Sequence, residues 1–141
     1  MAFVLDNSVV CGWILETQAS NYSAAIAKRL ERERAVAPPL LRLETVNVLR
    51  TACKRQIIIA SRAQELLAQL VRLPIEINSN SPEPALLLAL ALRYELSAYD
   101  ATYLELALRM QLPIATQDAI LAEAARIAGV GVVAHDPQQH G

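Results

Sequence analysis

Phe3-Val4-Leu5-Asp6-Asn7-Ser8-Val9-Val10 decides how the chain is read: three apolar residues, a polar triplet, then an apolar segment continuing through Trp13, Ile14 and Leu15. A short apolar run closed by such a triplet fits a buried strand turning into a helix. Leu112-Pro113-Ile114-Ala115 reads as another brief strand, with Thr116-Gln117-Asp118 as its junction to a short helix from Ile120 to Ile127. Gly129 ends that helix, and Val130 to Val133 reads as a last strand. Between these ends, Ser20 and Asn21 cap a helix running from Tyr22 to about Arg34, and Ala35-Val36-Ala37 makes a very short strand. Pro38-Pro39 opens a helix that reaches about Arg55. Ser61-Arg62-Ala63-Gln64 has the form of a capping box leading into Leu66, Leu67, Leu70 and Val71, and Leu73 to Ile77 alternates like a strand. Ser81-Pro82-Glu83 starts a helix whose residues Ala85 to Leu92 are apolar on nearly every side, so it is expected to be deeply buried or to pack on a partner. Ser97 opens the next helix. Strands alternating with helices define the fold class as α/β, layered around a short, mostly parallel central sheet.

The 141 residues, 54% of them hydrophobic, match one domain with an ample core, expected over residues 1–134 with a loose tail at 135–141. Cys11 and Cys53 lie in apolar segments without metal-ligand spacing and read as small core residues of a reducing compartment. The run Phe3–Leu5 is cut at once by Asp6, unlike a secretory leader, and Ala85 to Leu92 is far short of the roughly 20 residues of a membrane span, so the expected location is the cytoplasm, with no membrane partner. A net charge of −1 excludes a molecule held to nucleic acid by its overall field. It leaves room for a local basic rim, for which Arg50 and Lys54 are the candidates.

Asp6, Glu44, Asp100 and Asp118 carry the chemistry. Each follows a strand or lies along an apolar helix face, and none has a basic residue three or four positions away. Glu44 falls on the stripe of Leu41 and Val48, and Asn47 lies one turn further along that edge. Asp100 shares a line with Leu104, Ala107 and Leu108. Each acid also has a plainer reading: Asp6 as an N-cap, Asp100 as the acid of a capping box begun by Ser97, Asp118 and Glu44 as complements to a helix dipole. Taken together, four carboxylates at the carboxyl edge of one sheet would repel unless cations bind, and hard oxygen donors suit magnesium or manganese. The expected chemistry is hydrolysis at phosphorus by a metal-activated water, with Ser8 and Thr116 as supporting hydroxyls. All four acids are candidates both as catalytic residues and as metal ligands.

The segments Val4-Leu5-Asp6-Asn7-Ser8-Val9-Val10, Pro38-Pro39-Leu40-Leu41-Arg42-Leu43-Glu44-Thr45-Val46-Asn47-Val48-Leu49, Ser97-Ala98-Tyr99-Asp100-Ala101-Thr102-Tyr103-Leu104 and Ala115-Thr116-Gln117-Asp118 together resemble a PIN-domain ribonuclease, specifically the VapC-like toxin of a toxin–antitoxin pair. The resemblance spans nearly the whole chain. It implies a three-layer α/β/α sandwich, a magnesium-dependent endoribonuclease with Asp6, Glu44, Asp100 and Asp118 around the metal, a homodimer, and a small antitoxin whose tail crosses the acidic groove. Asp6-Asn7-Ser8 departs mildly from the family's usual Asp-Ala-Ser or Asp-Thr-Ser.

A haloacid-dehalogenase-type phosphatase would need a second Asp where Ser8 stands, and a phospho-receiver would need a late Lys, whereas Lys28 and Lys54 are the only lysines. A non-catalytic binding module of the same fold is the alternative from another class.

Overall fold

The structure, a computed structural model, describes residues 1–134. Strands β1 (Ala2–Leu5), β2 (Arg34–Ala37), β3 (Ile75–Ile77) and β4 (Ile114–Ala115) form one parallel sheet in the order β3-β2-β1-β4. The helices are α1 (Asn7–Ile14), α2 (Asn21–Arg29), α3 (Leu40–Lys54), α4 (Ala60–Val71), α5 (Pro84–Tyr94), α6 (Ala98–Met110) and α7 (Ala119–Ala128), with one 3₁₀ turn at Glu16–Gln18. They form two groups. One gathers on α1, which packs against α2 and α3, with α4 on α3; the other gathers on α6, which lies on β1 and β4 and carries α5 and α7. This is the α/β architecture expected, with a sheet that is parallel throughout.

β1 is the centre of this arrangement because it is apolar on both faces: Phe3, Val4 and Leu5 are all buried. β2 pairs on one side of it and β4 on the other, so the chain's path reverses direction across the sheet between β1 and β4. Loops leaving the carboxyl ends of neighbouring strands diverge at such a point and open a crevice. Asp6 and Thr116 are the first residues past those two strand ends, and the ladder continues one step into the crevice through the Asp6 amide, which donates to the Ala115 carbonyl at 3.1 Å.

Several local readings change. α2 stops at Arg29 rather than near Arg34, because Arg34 is drawn into β2 opposite Ala2; the turn between is closed by an Arg29–Glu33 ion pair of 2.9 Å. α4 starts at Ala60 with Ile59 at the N-cap and no side-chain cap, so the box expected at Ser61 is not made. The capping box is found instead at Ser20, whose hydroxyl accepts from the Ser23 amide while Ser23 Oγ accepts from the Ser20 amide. Ile75–Ile77 is shorter than the alternation suggested. Val130–Val133 supplies only an isolated bridge from Val132 to Ile114, since Gly129 and Gly131 both adopt positive φ and break the extended run. α5 is not deeply buried: Leu90 is, but Leu86, Leu88 and Leu92 are exposed. The expected tail at 135–141 lies outside the described residues. Among the described residues no helix is long and apolar enough to cross a membrane.

Where α1 crosses α2, a Cβ added to Gly12 would lie 2.6 Å from both Cβ and Oγ of Ser23. Ser23 cannot yield easily, being 2% exposed and engaged in the α2 capping box. Gly12→Ala is therefore expected to destabilise by about 1–3 kcal/mol, the usual cost of overpacking, which outweighs the ~1 kcal/mol helix-propensity gain of alanine. Urea denaturation read by circular dichroism measures it.

Candidate active site

Asp6 has the position of an N-cap for α1 but makes no side-chain cap bond. Its carboxylate, 5% exposed, turns across the crevice instead: Oδ2 accepts from Thr116 Oγ1 at 2.6 Å and from Ser8 Oγ at 2.8 Å. Ser8 and Thr116 are themselves 3.2 Å apart, so two strand ends are joined through one carboxylate oxygen. The Gln117 amide donates to Ser8 Oγ at 2.7 Å, its side-chain amide donates to the Ser8 carbonyl at 3.0 Å, and Ser20 Oγ donates to Gln117 Oε1. These bonds tie the turns after β1 and β4 to the start of α2.

Asp118 ends the same turn and does cap its helix, Oδ1 accepting from the Ile120 and Leu121 amides at 2.9 and 3.3 Å. Its plain reading is thus correct for one oxygen. Asp100, in the first turn of α6, departs from its plain reading. The Ser97 hydroxyl accepts from the Asp100 amide at 3.1 Å, which is half a capping box, but the Asp100 carboxyl makes no return bond and lies close enough to Asp118 to be raised by its charge.

Glu44 flanks the buried side of α3 rather than lying on it. That stripe is Leu41, Thr45, Leu49 and Ala52, and Glu44 is half-buried beside it. Glu44 Oε1 accepts from the phenol of Tyr103 at 2.6 Å. Asn47 is exposed one turn on, and Arg50 and Lys54 are exposed further along α3, roughly 9 and 15 Å up the axis from Glu44 at the helical rise. Arg50 borders an apolar groove between α3 and α4 lined by Val46, Leu49, Cys53 and Leu67, so neither basic residue joins the acids.

Sequence reasoning missed two residues. Tyr103 stands three after Asp100 and therefore on the same helix face, and a buried phenol needs an acceptor, which was the available signal. Gln117 had none, because an exposed glutamine in a turn carries no pattern.

No ion pair of the described residues involves any of the four acids. Burial holds Asp6 above its ordinary pKa despite hydrogen bonds from Thr116, Ser8 and the Asn7 amide, and Asp118 adds to the rise. Glu44 is raised by burial against the lowering effect of Tyr103, with Asp6 adding repulsion. Asp100 is pushed up to about 6 by burial, then by Asp118, Asp6 and Glu44. Cys11, buried nearby, is raised to about 11 by burial and by Asp6 and Glu44, and with Cys53 it is a free thiol, as expected of a small packing residue. The four acids thus feel one another across one crevice. They do not form a finished cage: among the described residues no three His, Cys, Asp or Glu side chains are grouped to hold one ion. Glu44 is held by Tyr103, and one oxygen of Asp118 by helix amides. In donor type, carboxylate oxygens with hydroxyl neighbours, the set fits a hard divalent ion.

The sequence matches the PIN domain family over residues 3–127, nearly the whole chain. The protein belongs to the PIN domain family, whose members are generally nucleases. Among solved structures it is similar to one described as "Crystal structure of PAE2754 from Pyrobaculum aerophilum", with 20% sequence identity, a TM-score of 0.65, and coverage of 88% of this chain and 79% of that one. At that identity the likeness concerns the fold. No curated protein sequence matches.

Two substitutions should move the stability of the metal-free protein in opposite directions. Asp100→Asn relieves repulsion and should raise the melting temperature at pH 7, while Asp118→Ala removes a helix cap and should lower stability by about 1 kcal/mol. Between pH 3.8, the ordinary value for Asp100, and about 6, the folded chain keeps a proton that the unfolded chain has lost. Stability from this group is therefore full only below pH 3.8, declines as the pH rises from there, and is lost once the pH has passed about 6. Scanning calorimetry without divalent ions, from pH 4 to 7.5, should record that decline and its flattening in Asp100→Asn.

Proposed function

We propose that the protein is a magnesium-dependent endoribonuclease, acting as the toxin of a toxin–antitoxin pair and hydrolysing RNA phosphodiesters. The observation that carries this reading is the set of mutually repelling carboxylates, unpaired with any cation among the described residues, at the crevice where β1 and β4 end in a PIN-domain fold. Asp6, Glu44, Asp100 and Asp118 would hold magnesium, with manganese as a substitute. A bound ion would supply Lewis acidity for the attacking water and positive charge to offset that on the phosphate and the leaving oxygen.

The chain's own part is positional. Ser8 and Thr116 occupy Oδ2 of Asp6 and so fix the carboxylate's orientation. Asp118 has one oxygen committed to α7 amides, which leaves the other for a ligand. Asp100, raised by burial and by the neighbouring acids, would have to lose its proton to take a cation, so loading would strengthen as the pH rises through about 6. Arg50 and Lys54 would take RNA backbone phosphates outside the acidic crevice. A second copy of the chain on the exposed Leu86, Leu88 and Leu92 of α5 would make the homodimer, and a short antitoxin would inhibit by crossing the acids. The second reading, a binding module without catalysis, draws support from the caps that Asp118 and Ser97 do make.

Asp6→Asn keeps an oxygen for Ser8 and Thr116 and should leave the fold intact. Cleavage of single-stranded RNA in magnesium should fall at least a hundredfold, and chelation of the wild type should abolish it. Cleavage undiminished in Asp6→Asn rejects the enzyme reading.

Replacing both Arg50 and Lys54 by Ala should flatten the salt dependence of RNA affinity by about 1.4 in log–log slope, two charges at ~0.7 each. Fluorescence anisotropy at 50 to 200 mM salt measures that slope.

A further inference from the structure

We propose that Tyr103 is a positioning residue whose phenol, acting through Glu44, sets where the α3 carboxylate stands relative to Asp100. Its effect on metal binding rests on the nuclease reading above; the clamp itself rests on geometry alone.

Tyr103 is 0% exposed, and Glu44 Oε1 accepts its hydroxyl proton at 2.6 Å across 59 residues of sequence. A phenol with no water around it needs an acceptor, and a carboxylate gives the stronger, charge-assisted bond. The link joins helices with no extensive packing of their own. α3 packs chiefly on α1 and α4, and α6 on α5, α7, β1 and β4. A long glutamate on a helix flank would otherwise sample several rotamers. Tyr103 lies one turn after Asp100 on the same face of α6, so one rigid helix presents Asp100 directly and holds Glu44 at second hand. The bond also commits Oε1, leaving Oε2 as the oxygen Glu44 can offer to a ligand.

The test is Tyr103→Phe, which removes one oxygen and keeps the ring. Manganese(II) is the probe, titrated by calorimetry or by loss of its free-ion paramagnetic resonance signal, in four proteins: wild type, Tyr103→Phe, Glu44→Gln and the double variant. The expected result is at least fivefold weaker binding in Tyr103→Phe, a melting temperature within a few degrees of wild type, and no further weakening when Tyr103→Phe is added to Glu44→Gln. Unaltered affinity in Tyr103→Phe overturns the proposal. So does an equal loss in both backgrounds, which would mark a general packing effect. If Tyr103→Phe does not fold, a crystal structure of the manganese-loaded wild type decides, with Glu44 swung off the phenol counting against the clamp. If the wild type binds no manganese, the nuclease reading fails separately. The clamp is then judged on the metal-free crystal structure of Tyr103→Phe, where an unmoved Glu44 carboxylate refutes it.

Discussion

Everything at the carboxyl edge of the sheet depends on one buried carboxylate. Asp6 follows the central strand, and its 5% exposure denies it water. The isolated charge would cost several kcal/mol in such a place, while hydrogen bonds to charged groups return about 1.5–3 kcal/mol each. Thr116, Ser8 and the Asn7 amide supply those bonds, yet the carboxyl still lies above its ordinary pKa, so burial outweighs them. A positive charge from outside the chain would complete the balance. The bonds that partly offset the cost also bind the turn after β1 to the turn after β4, so a functional group serves as a fastening of the fold.

That fastening explains why so short a β4 suffices. Two residues of strand pair with β1, but the connection is extended by the Asp6 amide to Ala115, by Thr116 to Asp6, and by Gln117 to Ser8 and Ser20. Polar bonds replace ladder bonds where the strands diverge. The crevice between them is thereby kept open, and Asp118 is delivered at the N-terminus of α7 with one oxygen satisfied by helix amides.

The strands and the acids were legible for one reason: both leave period signals. Phe3 to Leu5 is apolar on successive residues, and Asp6 interrupts it; Asp100 interrupts a helical stripe containing Leu104 and Ala107. What was not legible lies in long-range competition. α2 ends early because β2 claims Arg34, a tertiary pairing invisible in local propensity. The box at Ser61 lost to a helix start at Ala60, and the Val130–Val133 strand to two glycines of positive φ. Glu44 was placed on the buried stripe because Leu41 and Val48 suggested it; Thr45, counted as polar, occupies the stripe instead by donating to the Leu41 carbonyl at 2.8 Å. Tyr103 was visible as a residue but not as a partner, since its acceptor is on another helix.

The caps and the catalytic reading make different demands on the same carboxylates. An acid retained only to cap a helix is stabilised as an anion by amide donors and the helix dipole, both of which lower its pKa. Asp118 does receive two amides. Asp6, Glu44 and Asp100 are all raised, each with burial as the leading cause and another acid contributing. A binding module would gain stability by replacing Asp100 with Asn, which removes repulsion at no loss to the Ser97 cap, because that cap uses Asp100's backbone amide. Three destabilised anions in one crevice are therefore poorly accounted for by folding alone. They are accounted for if the folded chain is adapted to a state in which a cation stands among them, and the stability forgone without that cation returns as affinity for it.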